Sequence, residues 1–186
     1  RQMCIRDRAG VLVGPYLVVR DHEWRQDKNG VLKAASRLQY PLFVKPARGG
    51  SSIGISRVTS PEGLEAAIET ARDHDSKVLI EQGIHGREIE CSVLDGRHGA
   101  APRASLPGEI VVHDPDGFYD FEAKYLSGEQ KASVQSRAEL DDATRIRVQN
   151  VAIKAFRVLG CEGLARIDTF VTPDGAVYVN EPNTMP

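Results

Sequence analysis

Short apolar runs and helical spacings of apolar residues divide the chain into strands and helices. Alternating and β-branched segments predict strands at residues 16–19, 41–46, 55–58, 77–84, 88–94, 103–112, 165–171 and 176–183. A polar segment at 22–38 predicts helix with an interruption at Asn29-Gly30. Apolar residues at the i, i+3, i+4, i+7 spacing predict one helix after Ser60-Pro61 and a longer one over 139–160. This mixture of hairpin strands and helices predicts an α+β fold.

The last two strands form a predicted hairpin with four polar residues on one face. Because side chains alternate along a strand, Arg166 and Asp168 share a face, and so do Glu181 and Asn183. A two-residue loop at Asp174-Gly175 sets Asp168 opposite Glu181. It also sets Arg166 opposite Asn183. A four-residue loop keeps all four on one face, whereas an odd loop splits them.

Two interpretations of this polar face remain open. Carboxylate and amide oxygens are hard ligands that suit Mg2+ holding phosphates, and a cluster of this kind would be costly inside a structural core. The alternative is the solvated face of an ordinary hairpin.

A lysine in an apolar strand precedes a glycine- and serine-rich loop. Lys45 lies within the strand at 41–46, where it must either reach solvent or meet an anion. Glycines over 49–54 would let backbone N–H groups approach phosphate oxygens, and the Ser51 and Ser52 hydroxyls add donors. The Walker A pattern is absent because the lysine comes before the glycines. A plain hairpin connection is the alternative.

Two further segments carry candidate ligand contacts. Glu81 follows four apolar residues and could accept hydrogen bonds from a ribose or an adenine amine, although edge acids such as Glu88 and Glu90 are usually solvated. An aromatic and charged loop follows at 114–128 and predicts a lid that excludes water, from which Lys124-Tyr125 would reach a phosphate and a substrate. Its alternative is a surface loop with packed aromatics.

Composition narrows the classes of partner. The chain has 186 residues, of which 41% are hydrophobic, enough for one large or two small domains with a buried core. A net charge of −2 argues against nucleic-acid binding, and no apolar run approaches the roughly 20 residues of a membrane span. Cys4, Cys91 and Cys161 lack C-x-x-C spacing, which fits a reducing cytoplasm without a zinc or disulfide framework. These features predict a small-molecule partner.

Five ordered motifs together resemble one enzyme family. They are Val44-Lys45-Pro46 with Arg48 to Gly54, Val78 to Glu81 with Gly86 to Glu88, Phe118 to Tyr125, Gly163 to Asp168, and Asn180 to Pro186. In this order, over residues 41–186, the motifs resemble the D-alanine–D-alanine ligases of the ATP-grasp superfamily. Each motif is weak alone, and the combination is specific.

The resemblance implies an ATP-grasp fold, in which two α+β subdomains with antiparallel sheets clamp ATP. We expect a central subdomain at 9–85 and a C-terminal subdomain at 86–186, with a mobile loop at about 113–128 and the metal-binding hairpin. Residues 1–8 are interpreted as a foreign or unstructured lead-in. We expect the chain to be a fragment truncated at both ends and inactive alone.

Residue roles also follow from the resemblance. The implied nucleotide contacts are Lys45, Ser51, Ser52 and Lys124 to phosphates, Glu81 and the backbone of Ile84 to adenine, and Glu88 to ribose. The implied metal ligands are Asp168, Glu181 and Asn183, which would coordinate Mg2+ (or Mn2+). Arg166 would stabilise an oxyanion. Ser51 and Tyr125 would close the loop and orient the first D-alanine.

The implied reaction joins two D-alanine molecules through an acyl phosphate, for peptidoglycan precursor synthesis in the cytoplasm. A homodimer is implied for the full-length parent, with no nucleic-acid or membrane partner. One alternative is a D-alanine–D-lactate ligase or another ATP-grasp carboxylate-amine ligase. Lys124-Tyr125 favours the dipeptide enzyme, because lactate-forming relatives tend to carry a histidine near that tyrosine. An alternative of another class is a non-catalytic ATP-binding module.

Overall fold

A computed structural model describes residues 10–48, 53–112 and 132–184. These residues form two compact units. One contains the described residues of 14–83, and the other contains 10–13, 84–112 and 132–184.

The first unit is a four-stranded antiparallel sheet with helices. Its strands are β1 (Tyr16–Arg20), β2 (Leu42–Pro46), β3 (Ser56–Val58) and β4 (Lys77–Gln82), in the order β1-β4-β2-β3. Its helices are α1 (Asp21–Gln26), α2 (Lys28–Ala35) and α3 (Leu64–Arg72), the last preceded by a 3-10 turn at Pro61–Gly63. Three of the predicted strand positions are confirmed within one residue, and the strand predicted at 77–84 ends two residues early, at Gln82.

Side-chain alternation builds the core of this unit. Leu42 and Val44 of β2 are fully buried, whereas Lys45 points to the opposite face. The stripe predicted for α3 is confirmed, because Leu64, Ala67, Ile68 and Ala71 are all buried. The sheet therefore has one apolar face packed on α3 and one face that carries the charged side chains.

The interruption in the polar helical segment was predicted in the wrong place. The helices separate at Asp27, and Asn29 and Gly30 lie in the first turn of α2. The Asp27 carboxylate accepts a hydrogen bond from the Gly30 N–H at 2.8 Å and so caps α2. Capping by the aspartate, rather than the flexibility of the Asn-Gly pair, sets the boundary.

A buried aspartate joins α3 to β4. The Asp75 carboxylate accepts hydrogen bonds from Arg48 Nε at 3.0 Å and Nη2 at 2.6 Å, and from the Lys77 N–H at 3.1 Å. Its side chain is only 3% exposed, while that of Arg48 is 75% exposed. The Arg48 hydrogen bonds, despite the opposing effect of burial, lower the pKa of Asp75 from 3.8 to about 2.

Asp75 is therefore expected to make stability depend on pH in the acid range. A carboxyl whose pKa is lowered on folding stabilises above its unfolded pKa, and that contribution disappears as pH falls through the folded pKa. We expect Asp75→Asn to reduce the free energy of unfolding by about 1–2 kcal/mol at pH 6. The gap from wild type should narrow from about pH 4 toward pH 2, as urea titrations would measure. Asp73→Asn, at an exposed neighbour, is the control. A gap independent of pH would contradict this origin.

The second unit is built on a larger antiparallel sheet. Its strands are β5 (Arg87–Leu94), β6 (Arg103–Ala104), β7 (Gly108–Val112), β8 (Ala132–Gln135), β9 (Leu164–Val171) and β10 (Val177–Asn183). Within the described residues, they pair in the order β10-β9-β5-β7-β8, with β6 also on β5. The unit's long helix is α4 (Asp142–Val158).

Helix α4 covers one face of this sheet. Its buried residues include Val148, Ala152 and Phe156, which belong to one core with Ile89 and Ile167. The Asp141 carboxylate caps the helix by accepting from the Thr144 N–H at 2.9 Å, and the chain leaves the helix at Gly160 with φ of 67°. The opposite face of β5, β9 and β10 is left for polar side chains.

Candidate functional site

The sheet face away from α4 carries the predicted polar residues. Along β9, Ala165, Ile167 and Thr169 are buried on the core side, so Arg166 and Asp168 lie on the other face. The strand order then supplies neighbours from both sides. Asp168 lies opposite Glu181 of β10, and Arg166 lies opposite Asn183. The predicted pairing of these four residues is confirmed.

The turn that produces this pairing differs from the prediction. Thr172 donates its N–H to the Ala176 carbonyl at 3.0 Å, so the connection is the three residues Pro173-Asp174-Gly175. Such an odd loop alone would have separated the two polar pairs. A register shift between Val179 and Glu181 makes Asn180 an extra residue and restores the alignment.

Arg166 and Asp168 form the centre of the polar face. Arg166 Nε donates to Asp168 Oδ1 at 2.7 Å and Nη2 donates to Oδ2 at 2.9 Å. Asn183 Nδ2 donates to the same Oδ2 at 2.8 Å. The hydrogen bonds that Arg166 donates to Asp168 raise the pKa of Arg166, and the charges of Glu90 and Glu181 act in the same direction. Asp168 is buried, so this pairing compensates a desolvated carboxylate.

The donor set of the hairpin fits a hard divalent cation. Among the residues that the structure describes, no three His, Cys, Asp or Glu side chains are grouped so as to hold a metal. Asp168, Glu181 and Asn183 nevertheless provide two carboxylates and an amide oxygen at adjoining positions, the ligand types that Mg2+ takes. Arg166 donates to both oxygens of Asp168 and Asn183 donates to Oδ2, so a cation at Asp168 would compete with these donors.

Sequence reasoning missed one partner in this site. Glu90 was expected to be a solvated edge acid, but its Oε1 lies 3.1 Å from Arg166 Nε and its side chain is only 15% exposed. In the sheet, Glu90 of β5 lies opposite Asp168 of β9. The alternation of β5 indicated that Glu88 and Glu90 share a face, and nothing local indicated which strand lies beside them. Glu88 lies on that face opposite Phe170.

In the first unit, two predicted nucleotide contacts touch each other. Lys45 Nζ lies 2.6 Å from Glu81 Oε2, with both side chains about one fifth exposed, at 20% and 23%. Strands β2 and β4 are neighbours, and Glu81 lies opposite Phe43. The anion that Lys45 meets in this structure is thus a carboxylate of the adjoining strand. A phosphate and an adenine amine would each have to replace this contact.

Of the remaining predicted site residues, only Ile84 lies in the described part of the chain. Ile84 is half-buried in the connection between β4 and β5. The residues Ser51, Ser52, Lys124 and Tyr125 lie outside the described residues, so their roles stay predictions. In the described part of the chain, no helix has both the length and the apolar character to cross a membrane.

Comparisons with known proteins all point to one family. A family model described as "D-ala D-ala ligase C-terminus" matches residues 5–186. A D-alanine–D-alanine ligase of Pseudarthrobacter chlorophenolicus is 54% identical over 181 residues, which are 97% of this chain and 47% of that protein. One of Streptomyces coelicolor is 48% identical over 181 residues, covering 95% and 45% respectively. The chain thus spans about half the length of the curated relatives it matches.

Solved structures give the same result. The VanG D-Ala:D-Ser ligase from Enterococcus faecalis matches with a TM-score of 0.84 at 34% identity, covering 100% of this chain and 51% of that one. The D-alanine–D-alanine ligase from Coxiella burnetii matches with a TM-score of 0.79 at 31% identity, covering 100% and 46%. With the two antiparallel sheets, these likenesses confirm the predicted α+β fold of the ATP-grasp type.

Proposed function

Because the chain belongs to the D-alanine–D-alanine ligase family, we propose that it supplies nucleotide- and metal-binding parts of an ATP-dependent ligase that joins two D-alanine molecules. The observation that supports this most is the polar face of β9 and β10, where a guanidinium, two carboxylates and an amide adjoin. The product would serve peptidoglycan precursor synthesis in the cytoplasm. We also propose that the whole enzyme is a homodimer.

Residues of the first unit are proposed to bind the nucleotide. Lys45 exchanges its contact with Glu81 for α- and β-phosphate oxygens, since an ammonium on a half-buried strand face favours an anionic partner. Glu81 then accepts from the adenine amine. Two residues of the second unit complete the proposed nucleotide contacts: the backbone of Ile84 to adenine, and Glu88, which would accept hydrogen bonds from ribose hydroxyls.

Asp168, Glu181 and Asn183 are proposed to hold Mg2+. The bound cation would offset negative charge on the phosphates during phosphoryl transfer. Arg166 is proposed to contact the reacting substrate rather than the metal. Its guanidinium lies on the same sheet face, half-exposed, where it can donate to an oxygen that gains negative charge.

The proposed ligation has two steps, formation of an acyl phosphate and its conversion to an amide. A carboxylate oxygen of the first D-alanine attacks the γ-phosphorus of ATP, forming an acyl phosphate and releasing ADP. The amine of the second D-alanine attacks the acyl carbon, giving a tetrahedral oxyanion that Arg166 stabilises. Collapse of the oxyanion forms the amide and expels phosphate, and the proton lost by the amine passes to the departing phosphate. Water must be excluded because it would hydrolyse the acyl phosphate.

The competing proposal is that the ligase uses a second substrate other than D-alanine. The likeness to a D-Ala:D-Ser ligase favours testing D-serine, and D-lactate is the other candidate. A non-catalytic ATP-binding module would share the nucleotide contacts of Lys45 and Glu81 but form no product.

A chimera tests these proposals. Residues 5–186 replace the matching segment of the Pseudarthrobacter chlorophenolicus ligase, which supplies the flanking sequence. We expect ADP and D-alanyl-D-alanine to form in equal amounts, with mass spectrometry comparing D-alanine, D-serine and D-lactate as second substrates. ATP binding without any ligation product would favour the non-catalytic module. The parent ligase is the positive control, and the unfused 186-residue chain tests whether it acts alone.

A further inference from the structure

The guanidinium of Arg166 is shared between two carboxylates. Its Nε donates to Asp168 Oδ1 at 2.7 Å and lies 3.1 Å from Glu90 Oε1, so the guanidinium is within ion-pair distance of both acids. The side chains of Asp168 and Glu90 are 5% and 15% exposed. Both carboxylates are therefore largely withdrawn from water, and each ionised form needs a nearby cation or donor.

Glu90 and the proposed ligands of β10 lie on different sides of β9 in the sheet. Glu90 belongs to β5, which adjoins β9 on one edge, whereas Glu181 and Asn183 belong to β10 on the other edge. Asp168 stands between them on β9. Glu90 thus offers Arg166 an anionic partner on the side of β9 away from Glu181 and Asn183.

A metal ion and the Arg166 guanidinium would compete for the carboxylate of Asp168. Its two oxygens already accept three hydrogen bonds, two from Arg166 and one from Asn183. A divalent cation on the same oxygens would repel the guanidinium at short range, and the burial of Asp168 and Glu90 weakens the screening of that repulsion by solvent. Without a second partner, Arg166 would either block the cation or leave the site.

We propose that Glu90 is a positioning residue that retains the Arg166 guanidinium when a divalent cation takes over Asp168. The inference rests on the proposed function, because it presumes that Asp168 is a metal ligand. Glu90 lets the arginine move off the metal ligand and still remain on the sheet face. The same contact would keep Arg166 in reach of the reacting carbonyl.

Mn2+ binding to the 186-residue chain tests this proposal through a double-mutant cycle. Free Mn2+ is measured by electron paramagnetic resonance, with and without ATP. Without the Glu90 charge, the guanidinium stays on Asp168 and competes, so we expect Glu90→Gln to weaken Mn2+ binding at least fivefold. In an Arg166→Gln background, the same change should alter binding less than twofold, because no guanidinium remains to be held.

Controls separate this mechanism from simpler ones. Glu162→Gln removes an exposed carboxylate of the same unit and should leave Mn2+ affinity unchanged. Glu90→Asp keeps the charge and should remain within threefold of wild type. If Glu90→Gln fails to fold, Glu90→Met takes its place, and a loss of fivefold or more that vanishes in the Arg166→Gln background supports the proposal. An unchanged affinity in both backgrounds overturns it.

The outcomes also distinguish a failure of the positioning role of Glu90 from a failure of the proposed metal site. An equal loss with and without Arg166 would show that Glu90 acts as a ligand or a general negative charge, and would overturn the positioning role. Mn2+ binding by the wild-type chain would meanwhile support the metal site. If the wild-type chain binds no Mn2+ even with ATP, the proposed metal site fails and the role of Glu90 fails with it.

Discussion

Arg166→Ala is expected to reduce the kcat for dipeptide formation by the chimera about 100- to 1000-fold, the usual effect of removing one donor to a developing oxyanion. The guanidinium is held on the polar sheet face by Asp168 and Glu90, which restricts its orientation before the reaction. An alanine leaves an oxygen that gains charge in the second step without that donor. The affinity for ATP should change much less, because Arg166 is not among the proposed nucleotide contacts.

Two measurements make this result specific. Arg157→Ala removes an exposed arginine at the end of α4 and should retain the parent rate. Thermal unfolding of Arg166→Ala reports whether loss of the Asp168 ion pair has damaged the fold. Turnover within threefold of the parent would contradict the assignment of Arg166 to the oxyanion and would favour a purely structural ion pair.

Trp24→Ala is expected to lower the free energy of unfolding of the 186-residue chain by about 3–5 kcal/mol. The indole is 0% exposed and belongs to the core of the first unit with Val19 and Leu42. Its Nε1 also donates to Glu69 Oε1 at 2.9 Å. Truncation removes a large apolar surface, leaves a cavity and deletes this hydrogen bond. Urea unfolding followed by circular dichroism measures the change.

Trp24→Phe separates packing from hydrogen bonding. Phenylalanine retains most of the apolar volume but lacks the donor, while Glu69 still accepts from Lys28 and Arg72. We therefore expect a smaller cost of about 1–2 kcal/mol. A cost below about 1 kcal/mol for Trp24→Ala would mean that the surrounding side chains collapse into the vacated space.

Local periodicity predicted much of the fold. The stripe Leu64, Ala67, Ile68 and Ala71 repeats at helical spacing, and the structure buries all four residues. Alternation along β9 and β10 likewise assigned the polar face correctly. Both predictions concern residues close in sequence, where one element fixes their relative positions.

The contacts between distant elements could not be predicted in this way. Glu90 reaches Arg166 because β5 and β9 are neighbours, and Lys45 meets Glu81 because β2 and β4 are neighbours. Strand order depends on the packing of the whole sheet rather than on the pattern within any strand. For the same reason, the sequence singled out Lys45 and Glu81 separately without indicating their pairing.

The extra residue at Asn180 constrains how the hairpin can vary among relatives. In this sequence the three-residue turn and the one-residue bulge occur together, because a two-residue turn at Asp174-Gly175 would set Asp168 opposite Glu181 without any bulge. A relative of the same length with a two-residue turn should therefore have a regular last strand without the bulge. Its hairpin should align with this one without a gap, although the hydrogen bonds between turn and bulge differ.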